Sequence, residues 1–326
     1  MKYKKIAALL CSVALLLSGC GAPPEKEPLS YTDTLFDTTI SVQIFDPVEE
    51  TVMDGCKKLC NRYDELFSKN NKNSDIYKIN HADGASVEVS EDTIALIKKG
   101  LDYCEISEGL FDISIGSLTN LWDFKSDTPF IPKQEEILNG IAHTNYKNII
   151  IEGRTVCLTD SSASIDVGGI AKGFIADCIK DYLKENGVKH AMINLGGNVL
   201  TLGTKTDGSK FNIGIQKPFD NTGVPLTSVK VADQSVVTAG IYQRYFELNG
   251  KIYHHILDPN TGYPCENNLY SVTIITDSSA AADALSTLCF LMGYERGMKF
   301  VNQLEHVDAL FITNDYQIHY SDNFPE

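Results

Sequence analysis

Asp283 and Thr287 stand one helical turn apart in the apolar run Ala280-Ala281-Ala282-Asp283-Ala284-Leu285-Ser286-Thr287-Leu288-Cys289-Phe290, so a helix there puts both on one face. A carboxylate and a hydroxyl are costly to bury among alanines and leucines unless something binds them. Oxygen ligands of this kind suit magnesium, which keeps its remaining positions for water and substrate phosphate. A structural role is equally open: the helix dipole favours Asp283 in a first turn, and Thr287 can bond back to the turn before it.

A second constellation is Ser164-Ile165-Asp166-Val167-Gly168-Gly169-Ile170-Ala171-Lys172-Gly173, continued by Phe174, Cys178 and Tyr182 at helical spacing. The pattern reads as strand, turn, helix. Glycines admit close approach of a ligand, and the free N–H groups of a helix start, with Lys172 in its first turn, suit phosphate. Neither the dinucleotide fingerprint nor the phosphate-binding P-loop is present, so anion binding and a plain tight turn both stand. A second glycine pair follows at Gly196-Gly197-Asn198, where Asn194 and Asn198 either line a ligand or cap turns.

The third is His254-His255, on the far strand of a hairpin over 242–257 that turns at Asn249-Gly250. Adjacent strand residues face opposite sides, so at most one histidine addresses a given site. Asp258-Pro259-Asn260-Thr261-Gly262 then turns the chain and leaves a carboxylate beside an imidazole. Such a pair can do acid/base work or can simply be a solvated strand end.

Several elements must position these groups. Residues 39–45 alternate as a first strand ended by Asp46-Pro47. Val52, Cys56, Leu59, Tyr63 and Leu66 stripe a helix over 52–67, followed by a polar loop over 68–74. Ile94, Ile97, Leu101 and Ile106 stripe a second helix over 93–107 that closes near Gly109. Residues 111–116 lead into a short run ending at Trp122, and 149–151 pairs with 155–158 across Glu152-Gly153-Arg154. The helix begun near Ile170 ends near Gly187, and 191–195 leads into the second glycine pair. There is no internal repeat.

The beginning of the chain reads differently. Lys2, Lys4 and Lys5 precede an apolar run over 6–17 and Leu17-Ser18-Gly19-Cys20, a secretory signal whose end resembles a bacterial lipobox. The run is too short to span a bilayer. Residues 1–19 are therefore expected to be a signal peptide, Cys20 a lipidated N-terminus, 20–30 a tether and 31–326 the folded domain. Of 326 residues 43% are hydrophobic and 22% charged, enough to build a large core. Against 28 Lys+Arg stand 43 Asp+Glu, a formal charge of −15 that excludes nucleic acid as a partner. Past the anchor lie Cys56, Cys60, Cys104, Cys157, Cys178, Cys265 and Cys289, an odd set that fits buried small hydrophobes better than a disulfide framework.

Taken in order, Asp166 to Gly173, Asn194-Leu195-Gly196-Gly197-Asn198, His254 to Pro264 and Ala282 to Thr287 resemble the FAD:protein FMN transferases, the ApbE-like lipoproteins. Phe111-Asp112-Ile113 and Leu121-Trp122 resemble the family's nucleotide-contacting segment. The resemblance covers nearly the whole mature chain. It implies a mixed α+β fold of two lobes with FAD between them. It implies FAD contacts from Phe111, Asp112, Ile113, Asp166, Lys172 and His255. By the same resemblance the Gly169 carbonyl, Asp283 and Thr287 hold Mg2+, His255 activates an acceptor hydroxyl and Asp258 orients that site. The implied reaction joins FMN through a phosphoester to a threonine of exported redox proteins with an FMN-binding domain, releasing AMP. Hydrolysis of FAD to FMN and AMP, and flavin binding without catalysis, are the other readings. The implied location is the outer face of the cell membrane, through the lipid on Cys20. Two departures stand out: Phe36-Asp37-Thr38 where relatives carry Met-Gly-Thr, and Asn70 where they often have an aromatic residue.

Overall fold

The computed structural model describes residues 27–220 and 222–324; the signal segment and Cys20 lie outside the described residues. The chain opens with β1 (Leu29–Leu35) and β2 (Thr38–Ile44), then α1 (Glu50–Phe67), α2 (Asp75–Asn80), β3 (Val87–Glu88) and α3 (Glu91–Ile106). The middle third holds α4 (Gly116–Thr119), α5 (Gln134–Ala142), β4 (Ile149–Glu152), β5 (Thr155–Leu158) and α6 (Ala171–Glu185). Strands β6 (Ala191–Leu195), β7 (Asn198–Leu202), β8 (Phe211–Gln216), β9 (Pro225–Val231) and β10 (Ser235–Gly240) follow. The remainder is β11 (Tyr245–Leu248), β12 (Lys251–His254), β13 (Leu269–Thr276), α7 (Ser279–Val301), β14 (Val307–Thr313) and β15 (Ile318–Tyr320).

One antiparallel sheet in the order β1-β2-β6-β7-β10-β13-β14-β15 organises the molecule. Its faces separate by strand alternation: Val237, Ile274, Ala309 and Phe311 point to the helices, while Val236, Ile275, Leu310 and Ile312 point to the β8–β9 hairpin. Because both faces are covered, β13 is buried almost throughout instead of alternating. A third, smaller core joins α4, α5 and the β11–β12 hairpin around Leu118, Trp122, Ile137, Phe246 and Leu257. The expected mixed α+β class holds.

Four local expectations change. The strand over 39–45 is the second, not the first; β1 starts at Leu29, inside the stretch read as tether, and its mostly exposed residues give no buried alternation to detect. Helix α3 buries Ile94, Leu96, Ile97, Gly100 and Cys104, whereas Ile106 at its last position is 57% exposed. The approach to the first glycine pair is no strand: Ser164 makes a single parallel bridge to Ile115, and the backbone of Ile165 is held by a side chain instead. The 242–257 hairpin pairs over shorter strands, so His255 lies just beyond β12. The helices over 52–67 and 170–187 and the 149–158 hairpin stand within a few residues of their predicted limits.

Phe36 and Asp37 turn the β1–β2 hairpin at φ 54° and 59°, in the left-handed region that glycine enters without cost. That explains why a glycine suits this turn, and Asp tolerates it better than most residues. Among the described residues all seven cysteines are unpaired, and burial pushes the Cys56 and Cys60 thiols up to about 12, which makes them inert packing groups. No helix of the described residues is long and apolar enough to cross a membrane.

The crossing of α6 and α7 brings the first and last motifs together. A Cβ at Gly173 would collide with the Ser279 carbonyl and the Ala280 backbone, so this glycine serves close helix approach. Asp177 of α6 caps the start of α7, accepting from Ser279 N at 2.8 Å, Ala280 N at 3.0 Å and Ser278 Oγ at 2.9 Å. Gly173→Ala is expected to cost about 3 kcal/mol or more by overpacking rigid backbone. Asp177→Ala should cost about 2–4 kcal/mol through lost charge-assisted bonds. Urea unfolding midpoints of the two variants check both figures.

Candidate active site

The glycine loop is fixed from behind before it reaches α6. Asn80, closing α2, accepts from Ile165 N at 2.7 Å and donates to Ile165 O at 2.9 Å, while Asp166 N donates to Ile113 O at 2.8 Å. Asp166 thereby projects its carboxylate between three segments. Its Oδ1 accepts from Gly168 N at 2.9 Å; its Oδ2 accepts from Lys69 Nζ at 2.8 Å and Thr119 Oγ1 at 2.7 Å. Burial alone would raise the pKa of this carboxyl. The Lys69 ammonium and the converging donors outweigh burial, and the net shift is downward. Asp166 is an ionised acceptor held between these segments, with 19% of its side chain open.

Helix α6 begins at Ala171 with no side-chain cap on its first N–H groups. The Gly173 N–H has a partner of its own: it donates to Asp283 Oδ2 at 3.0 Å. Lys172 Nζ lies 3.3 Å from both oxygens of Asp283 and 3.2 Å from Gly168 O. Asp283, 4% exposed near the start of the apolar helix α7, is thus oriented by groups of α6. Thr287 Oγ1 makes only a long 3.4 Å bond back to Asp283 O, and a Cβ at Gly169 would stand 3.9 Å from that hydroxyl and 3.0 Å from the Phe111 ring. Gly169, Asp283, Thr287 and Phe111 are therefore brought to one place.

One buried carboxylate, one loosely bonded hydroxyl and one peptide carbonyl are hard oxygen donors, and they fit magnesium with substrate oxygens completing its shell. Among the described residues no group of three or more His, Cys, Asp or Glu gathers that could hold a metal ion.

The β11–β12 hairpin delivers the histidines from the opposite side. His254 points inward: its Nε2 lies 3.1 Å from Cys265 O and its ring meets Phe290 of α7 edge-on at 5.8 Å. His255 points the other way, as alternation requires. Its N–H donates to Arg244 O at 3.1 Å and its Nδ1 lies 3.2 Å from the same carbonyl. A carbonyl can only accept, so Nδ1 carries the proton and Nε2 keeps its lone pair. Burial, then the Arg244 charge, with Lys172 a smaller contributor, pushes His255 down to about 3.

These shifts have a stability consequence. Burial holds His254 down to about 4 and His255 to about 3, whereas unfolded imidazole titrates near about 6.5. Below that value the unfolded chain binds protons that the folded chain refuses, so stability is full above it and falls as pH drops toward 4 and then 3. Urea midpoints at pH 7, 6 and 5 should decline, and His254→Gln should flatten the decline. An unchanged slope in that variant would place the acid sensitivity elsewhere.

Not every expected residue faces the site. Asp112 spends one oxygen on its own turn, accepting from Ser114 N and Oγ at 2.7 and 2.6 Å, and the other on Tyr146 N at 3.0 Å. Ile113 is a core side chain against Gly100, and its part in the site is the carbonyl that holds Asp166. Asp258 accepts from Asn260 N and Nδ2 at 2.8 and 3.1 Å, closing the 258–262 turn. Trp122 Nε1 donates to Gly262 O at 3.0 Å and pins that turn to the small core. Lys69, Thr119, Asn80, Asp177 and Arg244 were missed. Lys69 sat in a stretch read only as a polar loop, and Arg244 contributes through its carbonyl and charge, neither of which spacing reveals.

A buried acid paired with an ammonium at a helix start stands in an antiparallel sheet-and-helix body of the α+β class. The profile of the ApbE family matches residues 36–311, and the chain belongs to that family. Over 292 residues it is 37% identical to a FAD:protein FMN transferase of Klebsiella pneumoniae (strain 342), covering 89% of this chain and 90% of that one. A FAD:protein FMN transferase of Treponema pallidum (strain Nichols) is 30% identical over 97% of this chain and 92% of its own. Among solved structures, the ApbE protein of Thermotoga maritima superposes with a TM-score of 0.83 at 30% identity, covering 91% of this chain and 97% of that one. The flavin transferase ApbE of Vibrio cholerae gives 0.81 at 27% identity, covering 91% and 98%.

Proposed function

We propose that the chain is a magnesium-dependent FAD:protein FMN transferase, anchored through Cys20 on the outer face of the membrane, that modifies a threonine of exported redox proteins. The convergence of Lys172, Asp283, Gly169 and Thr287 carries this reading. Similarity to the named transferases supports it.

In this scheme Asp166 and Lys172 hold FAD, with the ammonium on its diphosphate, and Phe111 walls the pocket beside Gly169. The acceptor threonine gives its proton to His255 Nε2 as its oxygen bonds the FMN-side phosphorus. The bond from that phosphorus to the bridging oxygen breaks, and AMP leaves with the electron pair. Magnesium, when held by the Gly169 carbonyl, Asp283 and Thr287, would offset charge on the diphosphate and on departing AMP. Trp122 and Asp258 keep the turn after His255 in place.

The test is mass spectrometry of an exported FMN-binding protein incubated with the purified chain, FAD and magnesium. A gain of one FMN phosphoryl mass on a single threonine, with AMP released, is expected. FMN and AMP without labelling would replace the transferase with a hydrolase, and intact FAD would leave a flavin-binding protein.

A further inference from the structure

Lys69 has no place in the chemistry above, yet it joins distant segments of the chain at the site. It lies in the loop after α1, and its ammonium reaches Asp166 Oδ2 at 2.8 Å and Thr119 Oγ1 at 3.1 Å, while Thr119 donates to the same Oδ2 at 2.7 Å. Three segments distant in sequence meet on one carboxylate oxygen: the α1–α2 loop, the end of α4 and the glycine loop. The site also holds two acids, each with its own lysine, Asp166 with Lys69 and Asp283 with Lys172. A dianionic diphosphate entering beside an uncompensated Asp166 would meet repulsion, and an unclamped carboxylate would be free to rotate off its ligand.

We propose that Lys69, seconded by Thr119, is a positioning residue for the FAD site, acting through Asp166 and not on FAD itself. It holds the carboxylate ionised and in one rotamer, and through the Gly168 N–H on Oδ1 it sets the glycine pair that precedes Lys172. The side chain retains 31% exposure, so its desolvation is affordable without a ligand. The inference rests on the transferase reading, because it assigns the clamp a purpose in FAD binding.

The test is a double-mutant cycle on FAD affinity, read by flavin fluorescence with magnesium present. Lys69→Met should weaken FAD about 10- to 100-fold, the scale of a lost charge-assisted bond, with Lys69→Arg restoring most of it and Thr119→Val giving a smaller loss. In an Asp166→Asn background Lys69→Met should add less than about threefold, because its route is already cut. Thermal midpoints of all variants show which are folded, and Lys69→Arg keeps the comparison alive if Lys69→Met is not. Additive losses would put Lys69 directly on FAD and overturn the proposal, as would an affinity unchanged in Lys69→Met. Wild-type protein that fails to bind FAD would overturn the transferase reading and this inference together; wild-type binding with additive losses would overturn the inference alone.

Discussion

Asp283→Asn is expected to abolish FMN transfer, by about 10³-fold or more, while leaving the protein folded. The size follows from what the carboxylate holds. In the proposed scheme the carboxylate helps to hold magnesium, and losing its charge would remove several kcal/mol of stabilisation of the transferred phosphoryl group, at about 1.4 kcal/mol for each tenfold. Asparagine keeps an oxygen for the Gly173 N–H, which Asp283 binds at 3.0 Å, so the α6–α7 crossing survives. Asp283→Ala should lose the same activity and also destabilise, since it strips a half-buried Lys172 of its partner and leaves an N–H unpaired. Comparing the two separates the roles: AMP release from FAD measured beside the thermal midpoint should show one variant inactive and stable, the other inactive and weakened. A manganese titration by electron paramagnetic resonance in the presence of FAD adds a readout apart from turnover. Asp283→Asn retaining wild-type turnover and manganese affinity would remove the residue from the metal site and return it to the structural role its place in the helix also allows.

How much of this was legible in the residues differs by kind of information. Helix α6 and its motif were readable because the apolar spacing and the glycines are local signals. Their purposes were less so: Gly168 and Gly169 fit a ligand-lining loop, whereas Gly173 exists for the backbone of α7, a contact more than a hundred residues away that periodicity cannot report. Asp283 and Thr287 stood out because polar residues in an apolar run need a reason. Asp112 and Asp166 show the limit. Both are acids beside apolar residues, and each bonds its own turn through one oxygen. The second oxygen of Asp112 is taken by the Tyr146 backbone, whereas that of Asp166 meets the side chains of Lys69 and Thr119, and neither distant partner shows in local spacing. Strand β1 escaped for the opposite reason, being an exposed edge with no buried face to impose a pattern. What sequence order supplied was the list of motifs; what the sheet supplied was their meeting.

His255 carries the other large expected effect. His255→Gln should lower kcat about 10²- to 10⁴-fold with FAD affinity changed only a fewfold, the range for removing a general base that does not hold the substrate. The pH dependence distinguishes this role from a binding one. In the free enzyme His255 is pushed down to about 3 by burial and by Arg244, so it is already unprotonated at pH 5. A base is lost as pH falls through its folded value, hence kcat/KM should show no imidazole titration between pH 8 and 5. An acid limb near 6.5 that vanished in His255→Gln would show that the ring is solvated and free instead of clamped to the Arg244 carbonyl. The low value has a cost, since a weak base takes a proton reluctantly. Entry of the anionic diphosphate offsets the Arg244 and Lys172 charges that depress it, so kcat, which reports the complex, should have its acid limb higher than kcat/KM. The same argument predicts the effect of removing one depressing charge. Arg244→Gln keeps the backbone carbonyl that fixes the Nδ1 proton at 3.2 Å, and should move that limb of kcat upward while leaving the FMN-labelled threonine unchanged.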